Sequence, residues 1–300
     1  MSAPNTHDLI VIGNGAAGLG AAREALRVGL STAYLEKELF GGLVLNVNEL
    51  DGKIAGSGAE LSAEWLQEVV DLGGESLTGA AESIEREGED LIVVSDSGRY
   101  RARAVIVASG AALKKLGIPG ESELEYKGVS HCADCDGPMF QGQDVVVVGA
   151  GDSALQSAMV LTQFCNRVHL VHRGASFRAQ PHWIEAVRAS DKIEVHLNSE
   201  VSEVLGVNGV EAVRVQGQAI ACAGFFAFVG LQPTSHFLPN SITRDERGAV
   251  LVSESLETTM SGVFAAGVVR AGCGGMLEDA LADGVAAARA VRARLSRQSS

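Results

Sequence analysis

Two cysteines three positions apart, Cys132 and Cys135, are the residues of this chain best suited to covalent chemistry. Thiols at i and i+3 can close a short disulfide, and at a helix start the dipole stabilises the thiolate that carries out exchange. Asp136 follows directly, and a carboxylate beside a thiol pair is well placed to move a proton. The same spacing also serves as half of a zinc site, or as two inert thiols. A zinc site needs two further ligands at matching spacing. His131 is adjacent, but there is no second C-x-x-C, so no metal is expected. Cys165, Cys222 and Cys273 are scattered singly and read as small hydrophobes. Five cysteines in 300 residues are a poor disulfide scaffold. They point to a reducing compartment and a cytoplasmic protein.

A second kind of chemistry belongs to the glycines. Gly13-Asn-Gly15-Ala-Ala-Gly18 follows the apolar run Leu9-Ile-Val-Ile12 and opens an Ala-rich stretch. Thr32-Ala-Tyr-Leu35 comes next, with Glu36 lying 23 positions after Gly13. Strand, glycine turn, helix, strand and acid in that order form the βαβ fingerprint of a dinucleotide site, with pyrophosphate at the helix N-terminus and the acid on a ribose hydroxyl. A second unit begins 136 residues later: Asp144-Val-Val-Val-Val148, then Gly149-Ala-Gly151-Asp-Ser-Ala154, a helical stretch, and Val168-His-Leu-Val171. Here the strand is followed by His172 and Arg173, with Arg178 beyond, and no acid. Arginine suits a 2′-phosphate better than a 2′-hydroxyl.

The elements that hold these residues can be read around them. Leu91-Ile-Val-Val94, Ala104-Val-Ile-Val107 and the run from Gly262 to Gly267 read as strands, the second leading into Ala108-Ser-Gly110. Gly117-Ile-Pro-Gly120 and Pro239-Asn240 read as crossings between domains. A helix is expected from about Leu277 to Leu295. The fold class is α/β, with two Rossmann-like, three-layer nucleotide-binding domains, the second inserted into the first. Glycine is in excess, 36 of 300 against roughly 21 at average usage, as close backbone approach to ligands would require. A net charge of −13 argues against nucleic acid or an anionic membrane as partner. No apolar run is long enough for a membrane span, and residues 1–8 carry no Lys or Arg, so no leader peptide is expected.

Taken in order, G-x-G-x-x-G, A-S-G at Gly110, G-I-P-G-E, C-A-D-C-D-G, G-A-G-D-S-A, H-R-x-x-x-x-R and G-V-F-A-A-G resemble the low-molecular-weight thioredoxin reductase family over essentially the whole chain. The resemblance implies a discontinuous FAD domain, residues 1–116 and 241–300, and an inserted NAD(P)H domain, residues 117–240, carrying the cysteine pair. FAD would be held through Gly13, Gly15, Gly18, Glu36, Gly42, Gly110 and Gly267, and NADPH through Gly149, Gly151, Ala154, His172, Arg173 and Arg178, with NADH also possible. It further implies Cys135 facing the flavin, Cys132 exchanging with the acceptor, Asp136 as proton donor, a thioredoxin-like protein or small-molecule disulfide as acceptor, and a homodimer. The chain departs from the family at Val268, where an Asp usually accepts a bond from the flavin ribityl chain, at Leu43 after Gly42, at Gly174 in place of a third cation, and at Gln156-Ser157. These changes resemble a branch with a specialised partner. Two further readings fit the motifs: a flavin-dependent dithiol oxidase using oxygen, and a non-catalytic nucleotide-binding redox sensor.

Overall fold

Consecutive apolar residues with no polar alternation are what a strand buried on both faces needs. In the computed structural model, which describes residues 6–37, 39–47, 50 and 54–298, His7–Ile12 is such a strand. Residues 1–5 of the stretch read for a leader lie outside the described residues. Leu9 and Val11 point to one face, with Ile106, Phe264 and the apolar sides of helices Ala16–Arg27 and Leu277–Gln298. Ile10 and Ile12 point to the other, with Val105, Val107, Val263 and Ala265. The period of two sorts neighbouring residues into two separate cores.

The chain divides into two units. The first comprises Met1–Ala112 and Gln232–Ser300. Its sheet runs in the order Glu75–Thr78, Thr32–Glu36, His7–Ile12, Gly98–Val107, Asp90–Ser95, Ala81–Glu87. Besides His7–Ile12, the long strand Gly98–Val107 serves two neighbours along its other edge. Residues 98–102 pair antiparallel with Leu91–Ser95, while Val105, Ile106 and Val107 pair parallel with Val263–Ala265. Helices cover one face and the antiparallel meander contributes to the core on the other.

The second unit is Leu113–Leu231. Its parallel sheet runs Ile193–His196, Arg167–Val171, Asp144–Gly149, Gly224–Phe228, Val129–Ser130. Val145, Val147 and Phe226 pack against helices Asp152–Leu161 and Pro181–Ala189. Val146, Val148 and Phe225 pack against an antiparallel sheet of Val201–Leu205, Ala212–Val215 and Gln218–Ala221. The second unit thus repeats the three-layer plan of the first and is inserted into it.

The units change over at 112/113 and 231/232, upstream of the turns at Gly117 and Pro239-Asn240. Local bonding explains the difference. The Glu121 carboxylate accepts from the N–H groups of Leu116 and Gly117, and Val204 N–H donates to the Pro119 carbonyl, which ties that turn into the second unit. Leu238 and Ile242 are buried with Val250 in the first unit's core. Among the described residues, no helix is long and apolar enough to cross a membrane.

Helices Ala16–Arg27 and Leu277–Gln298 approach closely through small residues. A Cβ on Gly284 would lie 2.1 Å from the Ala17 carbonyl oxygen, and one on Gly20 would lie 3.2 Å from that of Leu281. Helix propensity alone favours alanine over an interior glycine by about 1 kcal/mol. Overpacking costs about 1–3 kcal/mol, and the partner here is rigid backbone. Gly284→Ala is therefore expected to lower the urea midpoint; a raised midpoint would show that the helices can separate freely.

Candidate active site

In the first unit the fingerprint turn is set by contacts that leave no room for side chains. Gly13 has φ +99°, and a Cβ there would lie 2.5 Å from the Ala108 carbonyl oxygen. A Cβ on Gly18 would lie 1.8 Å from the Gly13 oxygen. Gly15 differs: its nearest neighbour would be the Gly41 oxygen at 3.8 Å, so nothing in the protein forbids a side chain there. Gly15 is also the N-cap of helix Ala16–Arg27, with no side-chain cap. Its open flank and the helix's uncapped N–H groups suit a phosphate. Glu36 accepts from Asn14 N–H at 2.7 Å, so the acid lies against the turn. Asn14 is only 2% exposed, and its Oδ1 has no hydrogen-bond partner among the described residues.

The other glycines of the first unit's expected nucleotide site gather around the same turn. Gly41 N–H donates to the Asn14 backbone carbonyl, and a Cβ on Gly42 would meet Gly15 Cα at 3.4 Å. Gly267, φ +76°, would put a Cβ 2.7 Å from that of Ala17. Gly110, φ +62°, lies just beyond Ala108 in open space, and its carbonyl accepts from Thr234 N–H. A buried carboxylate that sequence reasoning missed stands beside Gly267. Asp283, on the final helix and 9% exposed, accepts from Gly267 N–H at 3.0 Å and takes a two-point ion pair from Arg270 at 2.6 and 2.7 Å.

The second unit repeats the turn with one change. Gly149, φ +154°, makes room for the Ala154 methyl, which its own Cβ would meet at 2.6 Å. Gly151 faces open space and begins an uncapped helix. Arg178 N–H donates to the Ala150 oxygen at 2.8 Å, and Asp152 accepts from both Gln180 nitrogens. These bonds fold the segment after Val171 back onto the fingerprint. Burial, then Arg178, then Arg173 hold the His172 imidazole below its ordinary pKa. His172, Arg173 and Arg178 thus stand within electrostatic reach of one another. Neither exposed arginine has an ion-pair partner among the described residues.

Cys132 and Cys135 are joined as a disulfide, their Cα atoms 5.3 Å apart. The helix there is one turn long, Ala133–Asp136, with Cys132 as N-cap and Cys135 N–H donating to Cys132 Sγ at 3.1 Å. A local N–H, rather than a long helix dipole, is therefore placed to stabilise charge on that sulfur once the disulfide is reduced. Ser130 links the pair to the acid: its hydroxyl donates to Asp136 Oδ2 at 2.7 Å and accepts from Cys132 N–H at 3.2 Å. Only its position two before the motif could have marked Ser130. On the other side, Glu125 bridges His131 at 3.2 Å and Lys115 at 2.5 Å, and the Lys115 bond leads in holding its carboxyl below the usual range.

Residues 7–289 match the family model for pyridine nucleotide-disulphide oxidoreductases. The chain belongs to the pyridine nucleotide-disulphide oxidoreductase family. Among curated members it is 36% identical to thioredoxin reductase of Bacillus subtilis, over 97% of this chain and 96% of that protein. It is 34% identical to that of Treponema pallidum, over 95% of each. The crystal structure of Lactococcus lactis thioredoxin reductase superposes with a TM-score of 0.92 at 31% identity, covering 97% of this chain and 100% of the other. The family's redox disulfide and two Rossmann-like units are therefore the features described above, and the protein is a disulfide oxidoreductase.

The remaining thiols of this oxidoreductase differ sharply in reactivity. Burial pushes Cys165 up to about 11 and Cys222 up to about 12, whereas Cys273 is half-buried. With its disulfide closed, the native protein is expected to give one prompt thiol in an Ellman titration, from Cys273. Denaturation without reductant should give three, and reduction five, since three of the five cysteines are free. Five thiols without reductant would mean that the 132–135 pair is open.

Proposed function

We propose that the protein is an NADPH-dependent flavoprotein reductase whose Cys132–Cys135 disulfide passes electrons to a thioredoxin-like protein or a small-molecule disulfide. The observation that carries this reading is the closed pair bonded through Ser130 to Asp136. The relatives, which are thioredoxin reductases, support the acceptor class. A homodimer in the cytoplasm is the form proposed for it.

The residues present fit both nucleotides. For FAD, the open flank at Gly15, the uncapped helix and the unpartnered amide oxygen of Asn14 offer a cradle and a buried acceptor, with Glu36, Gly42, Gly110 and Gly267 around them. For NADPH, Gly149 and Ala154 shape the turn and Gly151 leaves the approach open. Arg173 and Arg178 supply uncompensated positive charge for a 2′-phosphate. FAD, when bound, is the two-electron carrier between nicotinamide and disulfide.

Overall, NADPH, a solvent proton and the acceptor disulfide give NADP+ and two acceptor thiols. The reduced pair divides the work. Cys132 attacks one acceptor sulfur, and the mixed disulfide forms as the first acceptor thiol leaves. Cys135 then attacks Cys132 Sγ, re-forming the intramolecular disulfide and releasing the second thiol. Asp136, steadied by the Ser130 hydroxyl, holds the proton that the thiol pair exchanges.

Anaerobic addition of NADPH to the yellow protein tests the reading. Flavin absorbance should fall and two new thiols should appear per chain. Cys132→Ser and Cys135→Ser should abolish turnover with a disulfide acceptor while flavin reduction by NADPH persists. Bleaching only by a dithiol would instead favour the oxidase reading, and a colourless protein that takes up no FAD would overturn the proposal.

Coenzyme choice gives a separate test with a worked sign. Burial and two guanidiniums push His172 toward its neutral form, so a bound 2′-phosphate raises its pKa and binding takes up a proton. NADPH affinity should therefore rise as pH falls from about 7.5 toward the ordinary imidazole value of about 6.5, while NADH affinity stays flat. Arg173→Ala should lower the NADPH-to-NADH ratio of kcat/KM by about tenfold, as expected on losing an interaction of about 1.4 kcal/mol. An unchanged ratio would remove Arg173 from recognition.

A further inference from the structure

The reading above leaves unused a group of side chains at the edge of the second unit's parallel sheet. Strands Arg167–Val171 and Ile193–His196 pair in parallel, with His169 opposite Glu194. His196 lies two residues beyond Glu194 and so shares its face. The three donors converge: His169 Nδ1 is 3.2 Å from His196 Nε2. Glu194 Oε2 is 3.7 Å from His169 Nδ1, and Oε1 is 3.5 Å from His196 Nε2.

We propose that His169, Glu194 and His196 form a binding site for a divalent transition-metal cation of the Zn2+ class. Metal–nitrogen and metal–oxygen bonds of about 2.0–2.2 Å set tetrahedral ligand atoms about 3.3–3.6 Å apart, close to the spacings found. Two imidazoles and one carboxylate are a borderline-soft donor set that suits Zn2+ and disfavours Ca2+ or Mg2+. The ligands must be neutral histidine and ionised carboxylate. Burial lowers the His169 pKa, and Arg167 leads in lowering that of Glu194. Arg167 holds Glu194 Oε2 at 3.0 Å, which orients the carboxylate as an outer partner does in established metal sites. His169 is buried, while the Glu194 and His196 side chains are 45% and 23% exposed. Metal and completing water can therefore enter from the solvent side. A bound cation would cross-link the two outermost strands of the sheet through ligands 25 residues apart in sequence.

The test uses full-length, tag-free holoprotein with the disulfide closed, which keeps Cys132 and Cys135 from competing for metal. Equilibrium dialysis against micromolar free Zn2+ should show one equivalent per chain, bound at least tenfold more weakly in Glu194→Gln and in His196→Gln. Zn2+ should raise the melting temperature of the wild type and leave both variants unmoved, and Ca2+ should raise none. The two substituted side chains are the more exposed ones, so folding is expected to survive; melting temperatures without metal report it, and the wild-type stoichiometry decides independently of either variant. No retained Zn2+ in the wild type would overturn the site and leave a simple histidine–histidine hydrogen bond. Equal binding in wild type and both variants would place the metal elsewhere and overturn it too.

Discussion

Each Rossmann-like unit depends on one close approach, the start of a helix against the end of the strand before it. The Gly13 oxygen occupies the place where a Gly18 side chain would be, and the Ala154 methyl occupies the place of a Gly149 side chain. Any added atom on these glycines pushes the helix away and turns its first N–H groups from their common focus. With the turn closed, helix Ala16–Arg27 lies where Gly284 can pack on Ala17. The final helix then sits deep enough for Asp283 to reach Gly267 and Arg270. Gly13, Gly15, Gly18, Gly42 and Gly267 are neighbours as a consequence.

The contrast between crowded and open glycines separates architecture from ligand. Gly13, Gly18 and Gly149 are required by the protein's own atoms. Gly151 meets nothing within 4 Å and Gly15 only the Gly41 oxygen at an ordinary 3.8 Å contact, so folding alone gives no reason for the missing side chains. A ligand phosphate needing close access to backbone N–H groups does. Asn14 adds to this picture, since a buried amide oxygen without a partner costs about 1–3 kcal/mol unless a bound group satisfies it.

Charge pairing is uneven across a chain with net charge −13. Arg23, Arg99, Arg101, Arg214 and Arg294 all meet glutamates. Among the described residues Arg173 and Arg178 do not, and they stand near an imidazole that burial pushes toward its neutral form. Exposed cations left unpaired lose little stability and keep their full attraction for an incoming phosphate. At the cysteine pair the bonding is equally local: Ser130 couples the acid to the motif, and Glu125 occupies His131 and Lys115 on the other side.

The α/β class, the two fingerprints, the cysteine pair and the strands at Leu91, Ala104 and Val263 were all legible in the sequence. Each rests on short-range physics: apolar runs that suit doubly buried strands, glycine at turns that tolerate no side chain, and i to i+3 thiol geometry. The unit boundaries were displaced because the turns at Gly117 and Pro239 are held by bonds to Glu121 and Val204, and by packing against Val250. No local pattern announces these contacts. Asp283 standing beside Gly267, Arg178 docked on Ala150, and His169 facing Glu194 and His196 were decided only by tertiary structure. Each joins residues far apart in the chain, and their meeting depends on helix packing and on the register of parallel strands, which a one-residue slip would undo.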